Sequence, residues 1–233
     1  MHFIIGEASA DFLPDASVDL IVTSPPYWQK RNYGLPGEIG QEKRKEDYIR
    51  RLVSICSKWK RILKPTGSIF VNIDDTLRKG EWQLIPDLFS KAYKKHFNLI
   101  HHIIWAKTRG MPSPSRDRLN HRAEDIFHFA PSLDPFMDFE NFADRYPDCG
   151  TVWTFDVERT GGDHVAPFPL ELVERCAALA LPAGGVLYDP FCGSGTVFRL
   201  ELTEPGITTI GSDLKLYERT RDILTAPAQY SMF

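Results

Sequence analysis

Ser24-Pro25-Pro26-Tyr27 sets a hydroxyl, two prolines and an aromatic ring in four consecutive positions. The prolines remove two backbone N–H donors and disfavour the helical region for the residue before each of them. The segment is therefore a rigid, non-helical exit in which the Ser24 hydroxyl and nearby carbonyls stand out as acceptors. Tyr27 supplies a flat face, and Trp28 adjoins it. Acceptors able to hold an amine, beside a ring able to stack on a heterocycle, suit a nucleobase extruded from its helix. A Pro-rich turn capping a strand is the plainer alternative.

A second candidate site lies near the other end, in Val186-Leu187-Tyr188-Asp189-Pro190-Phe191-Cys192-Gly193-Ser194-Gly195-Thr196. An apolar strand runs into a loop whose glycines allow a sharp bend and close approach by a ligand. Thr196 opens an apparent helix, and Thr208 to Asp213 reads as a further strand ending in a carboxylate. In a wound α/β sheet such an acid accepts hydrogen bonds from a ribose. Asp213 also suits the N-cap of a following helix. The loop lacks the Gly-Lys-Ser/Thr of a P-loop, and Phe198 fills the position where a dinucleotide fingerprint needs a small residue. An adenosyl ligand with an amino-acid tail is compatible with it.

Together the two motifs resemble those of DNA amino-methyltransferases. Asp189 to Thr196 is similar to their S-adenosylmethionine loop, and Ser24-Pro25-Pro26-Tyr27 to their catalytic loop. The catalytic motif comes first and the cofactor loop last, as in the β group of these enzymes. Ile104-Trp105-Ala106-Lys107, the stretch from Met111 to Arg118, and His164 to Pro169 resemble further parts of the family. The resemblance implies a Rossmann-like α/β methyltransferase fold and catalysis by Ser24, Pro25, Pro26 and Tyr27. The cofactor would lie against Thr23, Phe168, Asp189, Phe191, Gly193, Gly195, Thr196 and Asp213. In this family Ser before Pro-Pro-Tyr usually marks cytosine N4, and Asp or Asn usually marks adenine N6. The expectation is methylation of the N4 amine of a flipped cytosine, with adenine N6 or a non-catalytic binding subunit as alternatives. The implied partners are double-stranded DNA and a cognate restriction endonuclease.

The elements that must position these groups follow from periodicity. Short strands are expected at Phe3-Ile4-Ile5, Val18–Thr23, Ser68–Ile73, Asn98–Ala106 and Ala123–Phe129. Helices are expected over Asp47–Lys64, broken by Pro65-Thr66-Gly67, over Ile85–Lys95 and over Leu214–Leu224. In the strand at 123–129, Ile126 and His128 face one way and Phe127 and Phe129 the other. After the strand near Ile210 the chain all but stops, so the next strand of a cofactor-binding sheet must come from the N-terminus. That makes the fold a circular permutation with its two ends side by side, and brings Glu7 near the cofactor's adenine or ribose. Glu7 is equally well read as a surface residue after an edge strand.

The 233 residues fit one α/β domain. Residues 107–163 are expected to form a recognition or lid insertion, aromatic-rich from 130 onwards. No apolar run approaches the roughly 18 residues that span a bilayer, and no charged leader precedes Met1-His2-Phe3, so a cytoplasmic protein is expected. The four cysteines lack CxxC spacing, which fits free thiols in a reducing compartment, and the seven histidines have no ligand spacing, so no metal is expected. No cysteine follows a proline, as the nucleophile does in cytosine-C5 methyltransferases.

The net charge of −3 does not advertise nucleic acid, but local fields decide phosphate binding. Lys58, Lys60, Arg61 and Lys64 read as a solvated helix end. Lys107, Arg109, Arg116, Arg118 and Arg122 cluster in a turn-rich loop and are expected, with Trp28, to contact DNA.

Overall fold

Every residue of Val18-Asp19-Leu20-Ile21-Val22-Thr23 is buried, the mark of a strand covered on both faces. The structure, a computed structural model, describes residues 1–32, 34, 37–108, 119–158 and 168–225. Along the chain come β1 (His2–Ile5), β2 (Val18–Thr23), α1 (Lys45–Cys56), α2 (Trp59–Ile62), β3 (Leu63–Ile73), β4 (Leu77–Arg78) and β5 (Glu81–Trp82). They are followed by α3 (Ile85–Tyr93), β6 (Asn98–Ala106), β7 (Ala123–Ala130), α4 (Phe139–Arg145) and β8 (Val152–Thr154). The last are α5 (Leu170–Ala180), β9 (Val186–Asp189), α6 (Thr196–Thr203), β10 (Thr208–Asp213) and α7 (Glu218–Thr225).

Among the described residues, eight strands form one sheet in the order β1-β10-β9-β2-β3-β7-β6-β8. All neighbours are parallel except β7, which is antiparallel to β3 and to β6. The permutation expected from the sequence is present. β1 pairs in parallel with β10, Ile5 opposite Asp213, so the first and last strands are adjacent.

Successive side chains of a strand face opposite ways, and here they fill two separate cores. Ile21, Ile69, Val71 and Phe129 pack with α1, α2 and α3 on one face. Leu20, Val22, Phe70 and Ile126 pack with α4, α5 and α6 on the other. Asp75 fixes the start of α3, its carboxylate accepting from Leu84 N at 2.9 Å and Ile85 N at 3.0 Å. The Asp138 side chain caps α4 by accepting from Asn141 N at 2.9 Å.

One expectation is corrected. The helix expected over 47–64 ends at Cys56, a short turn covers 59–62, and β3 begins at Leu63. Pro65-Thr66-Gly67 therefore lies inside a strand, and Lys64 leaves the helix to pair with buried Asp19 at 2.8 Å. Residues 107–163 include parts of the main sheet. Within them β7 lies between β3 and β6, β8 extends the sheet beyond β6, and Phe142 of α4 joins a main core. The apolar content of that stretch is what the sheet edge and α5 require. No helix among the described residues is long and apolar enough to cross a membrane.

Candidate active site at the carboxyl ends of the strands

Ligands in open α/β sheets bind outside the carboxyl ends of the strands. β2 and β9 pair directly, Ile21 opposite Tyr188, so the loops leaving Thr23 and Asp189 emerge side by side. A hydrogen bond closes the junction: Thr23 Oγ1 donates to Asp189 Oδ1 at 2.6 Å, both residues being fully buried. The two ends of the chain thus share one cleft.

On the glycine-loop side, Phe191 N donates to Asp189 Oδ1 at 3.0 Å and Gly193 N donates to Asp213 Oδ2 at 2.9 Å. Asp213 Oδ1 accepts from Leu214 N at 2.7 Å. A carboxylate has about four acceptor sites, so Asp213 keeps capacity for further donors. Gly195 takes φ 78° at the head of α6, a conformation costly for any residue with a Cβ. The Thr196 hydroxyl donates to the Phe168 carbonyl at 3.2 Å, tying the entry of α5 to the loop. Glu7 is exposed just past β1, at the same edge as Asp213.

Two buried atoms of this loop region, Asp189 Oδ2 and Ser194 Oγ, have no hydrogen-bond partner among the described residues. Burial, only partly offset by the Thr23 and Phe191 hydrogen bonds, pushes the Asp189 carboxyl up to about 7. Burial also raises Asp213. Orphaned buried acceptors beside a glycine loop fit a ligand that brings its own donors, such as the ammonium of an amino-acid tail.

Gly211 makes the loop's close approach possible. A Cβ there would lie 2.5 Å from Cys192 Sγ and 2.8 Å from Phe198 Cζ. Gly211→Ala is expected to displace the cofactor loop and to destabilise the fold by roughly 1–3 kcal/mol, the usual range for overpacking. A thermal melt and a cofactor titration on the same sample check it: both should worsen.

On the catalytic-loop side, the half-buried Tyr27 hydroxyl is the hub. It lies 2.9 Å from Ser24 Oγ, 3.1 Å from Asn72 Oδ1 and 2.7 Å from Glu124 Oε2. Glu124 Oε2 also accepts from Asn72 Nδ2 at 3.0 Å, and Lys107 Nζ binds the other oxygen, Oε1. Pro26 O accepts from Tyr48 Oη at 2.9 Å. Pro25 is buried between Ser24 and Pro26. Burial, the Glu124 carboxylate and Asp74 together hold the Tyr27 phenol well above its ordinary range. Asp74 accepts from Lys30 at 2.5 Å and from His121 at 2.6 Å. Burial works against the Asp74 carboxylate, yet these two partners hold it below the usual range.

Of the residues expected to contact DNA, one is corrected. Trp28 is 2 % exposed, its Nε1 donates to Glu42 O at 2.8 Å, and Arg78 sits over its ring, so no face is open to DNA. Lys107 has a side chain 13 % exposed and paired with Glu124, on the pocket side of β6 and β7. Arg122 is exposed at the start of β7. Arg109, Arg116 and Arg118, the Met111–Arg118 stretch, and His164 to Pro167 lie outside the described residues.

Glu124 is the site residue that the sequence reading missed. A signal for it existed. In β7 the alternation that buries Ile126 and His128 also turns Glu124 inward, and an inward carboxylate on a core strand needs a partner.

A permuted α/β sheet, a glycine loop with orphaned acceptors and a Ser-Pro-Pro-Tyr loop at one edge define an S-adenosylmethionine-dependent methyltransferase. The DNA methylase family model for N6 and N4 enzymes matches residues 18–217, and the chain belongs to that family. The Type II methyltransferase M.Cfr9I of Citrobacter freundii is 32 % identical over 220 residues, covering 79 % of this chain and 73 % of that protein. The solved PvuII DNA methyltransferase, cytosine-N4-specific, superposes with TM-score 0.81 at 19 % identity, covering 98 % of this chain and 87 % of the other. The protein TTHA0409 of Thermus thermophilus, solved in complex with S-adenosyl-L-methionine, gives TM-score 0.67 at 26 % identity over 96 % of this chain and 92 % of that one. The chain is thus a DNA methyltransferase of the N6/N4 family that uses S-adenosylmethionine.

Proposed function

We propose that this enzyme methylates the N4 amine of a cytosine flipped out of double-stranded DNA. The observation that supports this most is the orientation of Ser24. A carboxylate only accepts, so the single Tyr27 proton goes to Glu124, and the Ser24 hydroxyl must then donate to Tyr27. Both Ser24 lone pairs are left free to accept hydrogens from an amine.

When bound, S-adenosylmethionine supplies the electrophilic methyl group. Asp189 Oδ2 and Ser194 Oγ are the acceptors open to its amino-acid tail, and Asp213, with Glu7 nearby, to its ribose. Gly193 and Gly195 let the backbone come close, and Phe168, Phe191 and Thr196 close the sides. On the target side, an aromatic exocyclic amine is a poor nucleophile because its lone pair is delocalised into the ring. Ser24 Oγ and the Pro25 carbonyl accept its two hydrogens, localise that pair and hold it in line for transfer. As the nitrogen becomes cationic, the same dipoles stabilise it without reorganising. Pro26 and Tyr27 keep the loop rigid, and the Tyr27 ring is the stacking surface for the base. Arg122 contacts the phosphates, a role that the sequence assigns to Arg109, Arg116 and Arg118 as well.

Ser ahead of Pro-Pro-Tyr is the residue that favours cytosine over adenine, and the cytosine-N4-specific PvuII enzyme is built on the same fold. The Type II methyltransferases among the relatives make a cognate restriction endonuclease the protein partner to seek. Mass spectrometry of nucleosides from host DNA after expression tests the reading. N4-methylcytosine is expected; N6-methyladenine in its place would reassign the base.

A further inference from the structure

Methyl transfer to an amine leaves a cationic nitrogen that must lose a proton, and the chain of hydroxyls behind Ser24 gives that proton a path. Ser24 Oγ, Tyr27 Oη and Glu124 Oε2 are linked by contacts of 2.9 and 2.7 Å, and Glu124 is 8 % exposed. The donors run in one direction, towards the carboxylate. We propose that Glu124 is the terminal proton acceptor of this enzyme, acting through Tyr27 and Ser24 as a positioning residue that never touches the base.

The step balances as follows. The bond from the amine nitrogen to the methyl carbon forms as the bond from sulfur to that carbon breaks. The nitrogen, now cationic, gives one proton to Ser24 Oγ. The Ser24 hydroxyl proton passes to Tyr27 Oη, and the Tyr27 proton passes to Glu124 Oε2. The base ends neutral, both hydroxyls are restored, and the carboxylate has become a carboxylic acid. Tyr27 serves only as a conduit: its environment resists a phenolate, so a proton must arrive as one leaves.

The surroundings of Glu124 suit this role. Lys107 from the end of β6 binds Oε1, and Asn72 from β3 donates to Oε2, which fixes the carboxylate facing Tyr27. Asn72 also offers Oδ1 to Tyr27, 3.1 Å away against 2.7 Å for Glu124, so the carboxylate takes the proton. The neighbouring ionisable groups are Asp74, Lys30 and His121: the two cations pair with Asp74, and Asp74 adds to the resistance of Tyr27 to ionisation.

The inference rests on Ser24 holding the target amine, and the test separates the two. Single-turnover methyl transfer to chromosomal DNA from a methylation-deficient host is measured for Glu124→Gln, Tyr27→Phe and the double variant. Glu124→Gln keeps the size and the hydrogen-bond acceptor but cannot take the proton. It is expected to slow transfer ~10²-fold, the lower range for a lost general base. Tyr27→Phe breaks the same path, so the double variant should be no slower than the worse single one. In the DNA-free protein, ultraviolet difference titration should show one phenol, absent in Tyr27→Phe, titrating at lower pH once Glu124 is Gln. A Glu124→Gln enzyme with the wild-type rate, or losses that multiply in the double variant, overturns the relay. If Ser24→Ala also proves active, the reading of the site falls with it; if Ser24→Ala is inactive, only the relay does.

Discussion

Ser24→Ala is expected to bind S-adenosylmethionine as the wild type does and to transfer its methyl group ~10²–10³-fold more slowly, the usual cost of one preorganised transition-state dipole. The two halves of that expectation have separate physical origins. The Ser24 side chain contacts Tyr27, whereas Thr23, one residue earlier, is the one that holds Asp189. Removing the hydroxyl therefore leaves the junction between the two loops and the orphaned acceptors of the glycine loop in place. It takes away one of two acceptors for the amine and leaves Tyr27 without a proton donor. Since the contact strengthens as the nitrogen becomes cationic, the loss should fall on kcat more than on KM. Calorimetry with the cofactor and a methyl-transfer assay on the same preparation check both halves. An unchanged rate removes Ser24 from the chemistry; lost cofactor binding would mean that the loop had rearranged.

Asp189→Asn should trade function for stability, with opposite signs in two measurements. The folded-state value of Asp189, about 7, lies above the ordinary carboxylate value of 3.8 because the group is fully buried. Between those values the folded chain binds more protons than the unfolded one, so stability falls as pH rises from about 4 to about 7. The gap corresponds to roughly 4 kcal/mol. Asn does not titrate, so the cofactor-free variant should lose this slope and melt above the wild type at pH 8. The cofactor side runs the other way. A cationic tail favours the ionised carboxylate, so wild-type affinity should rise as pH passes upward through 7. Losing a hydrogen bond to a charged group costs about 1.5–3 kcal/mol, so Asn should weaken binding roughly 10–10²-fold. Melting curves and cofactor titrations from pH 5.5 to 8 test both. A variant that binds with wild-type affinity and pH dependence would remove Asp189 from the cofactor site.

Much of this was readable along the chain because it depends on neighbours in sequence. β2 was legible from six consecutive residues whose apolar content demands burial. The glycine loop was legible because Gly193 and Gly195 are needed where the backbone turns back on itself. The order of the two motifs pointed to a permuted sheet, and β1 does lie beside β10. These are local rules of backbone geometry, or the order of two motifs, and neither needs side-chain contacts.

What the sequence left open is set by contacts between residues far apart. Trp28 adjoins the catalytic loop in sequence, and only the packing of Arg78 and the carbonyl of Glu42 make it a core residue. Lys107 reads as an unpaired charge in sequence because its partner, Glu124, arrives from the neighbouring antiparallel strand. Glu124 itself meets Tyr27 across 97 positions. Leu63 leaves the helix to pair with Val18 of β2, and the chain bulges over Lys64 to Gly67 before pairing resumes at Ser68. Sequence alone determined the two loop motifs and their order, because backbone geometry is written in consecutive residues. Tertiary structure decided which charges are spent on each other, because a carboxylate and its partner are brought together by strand pairing, and strand register carries no local signature.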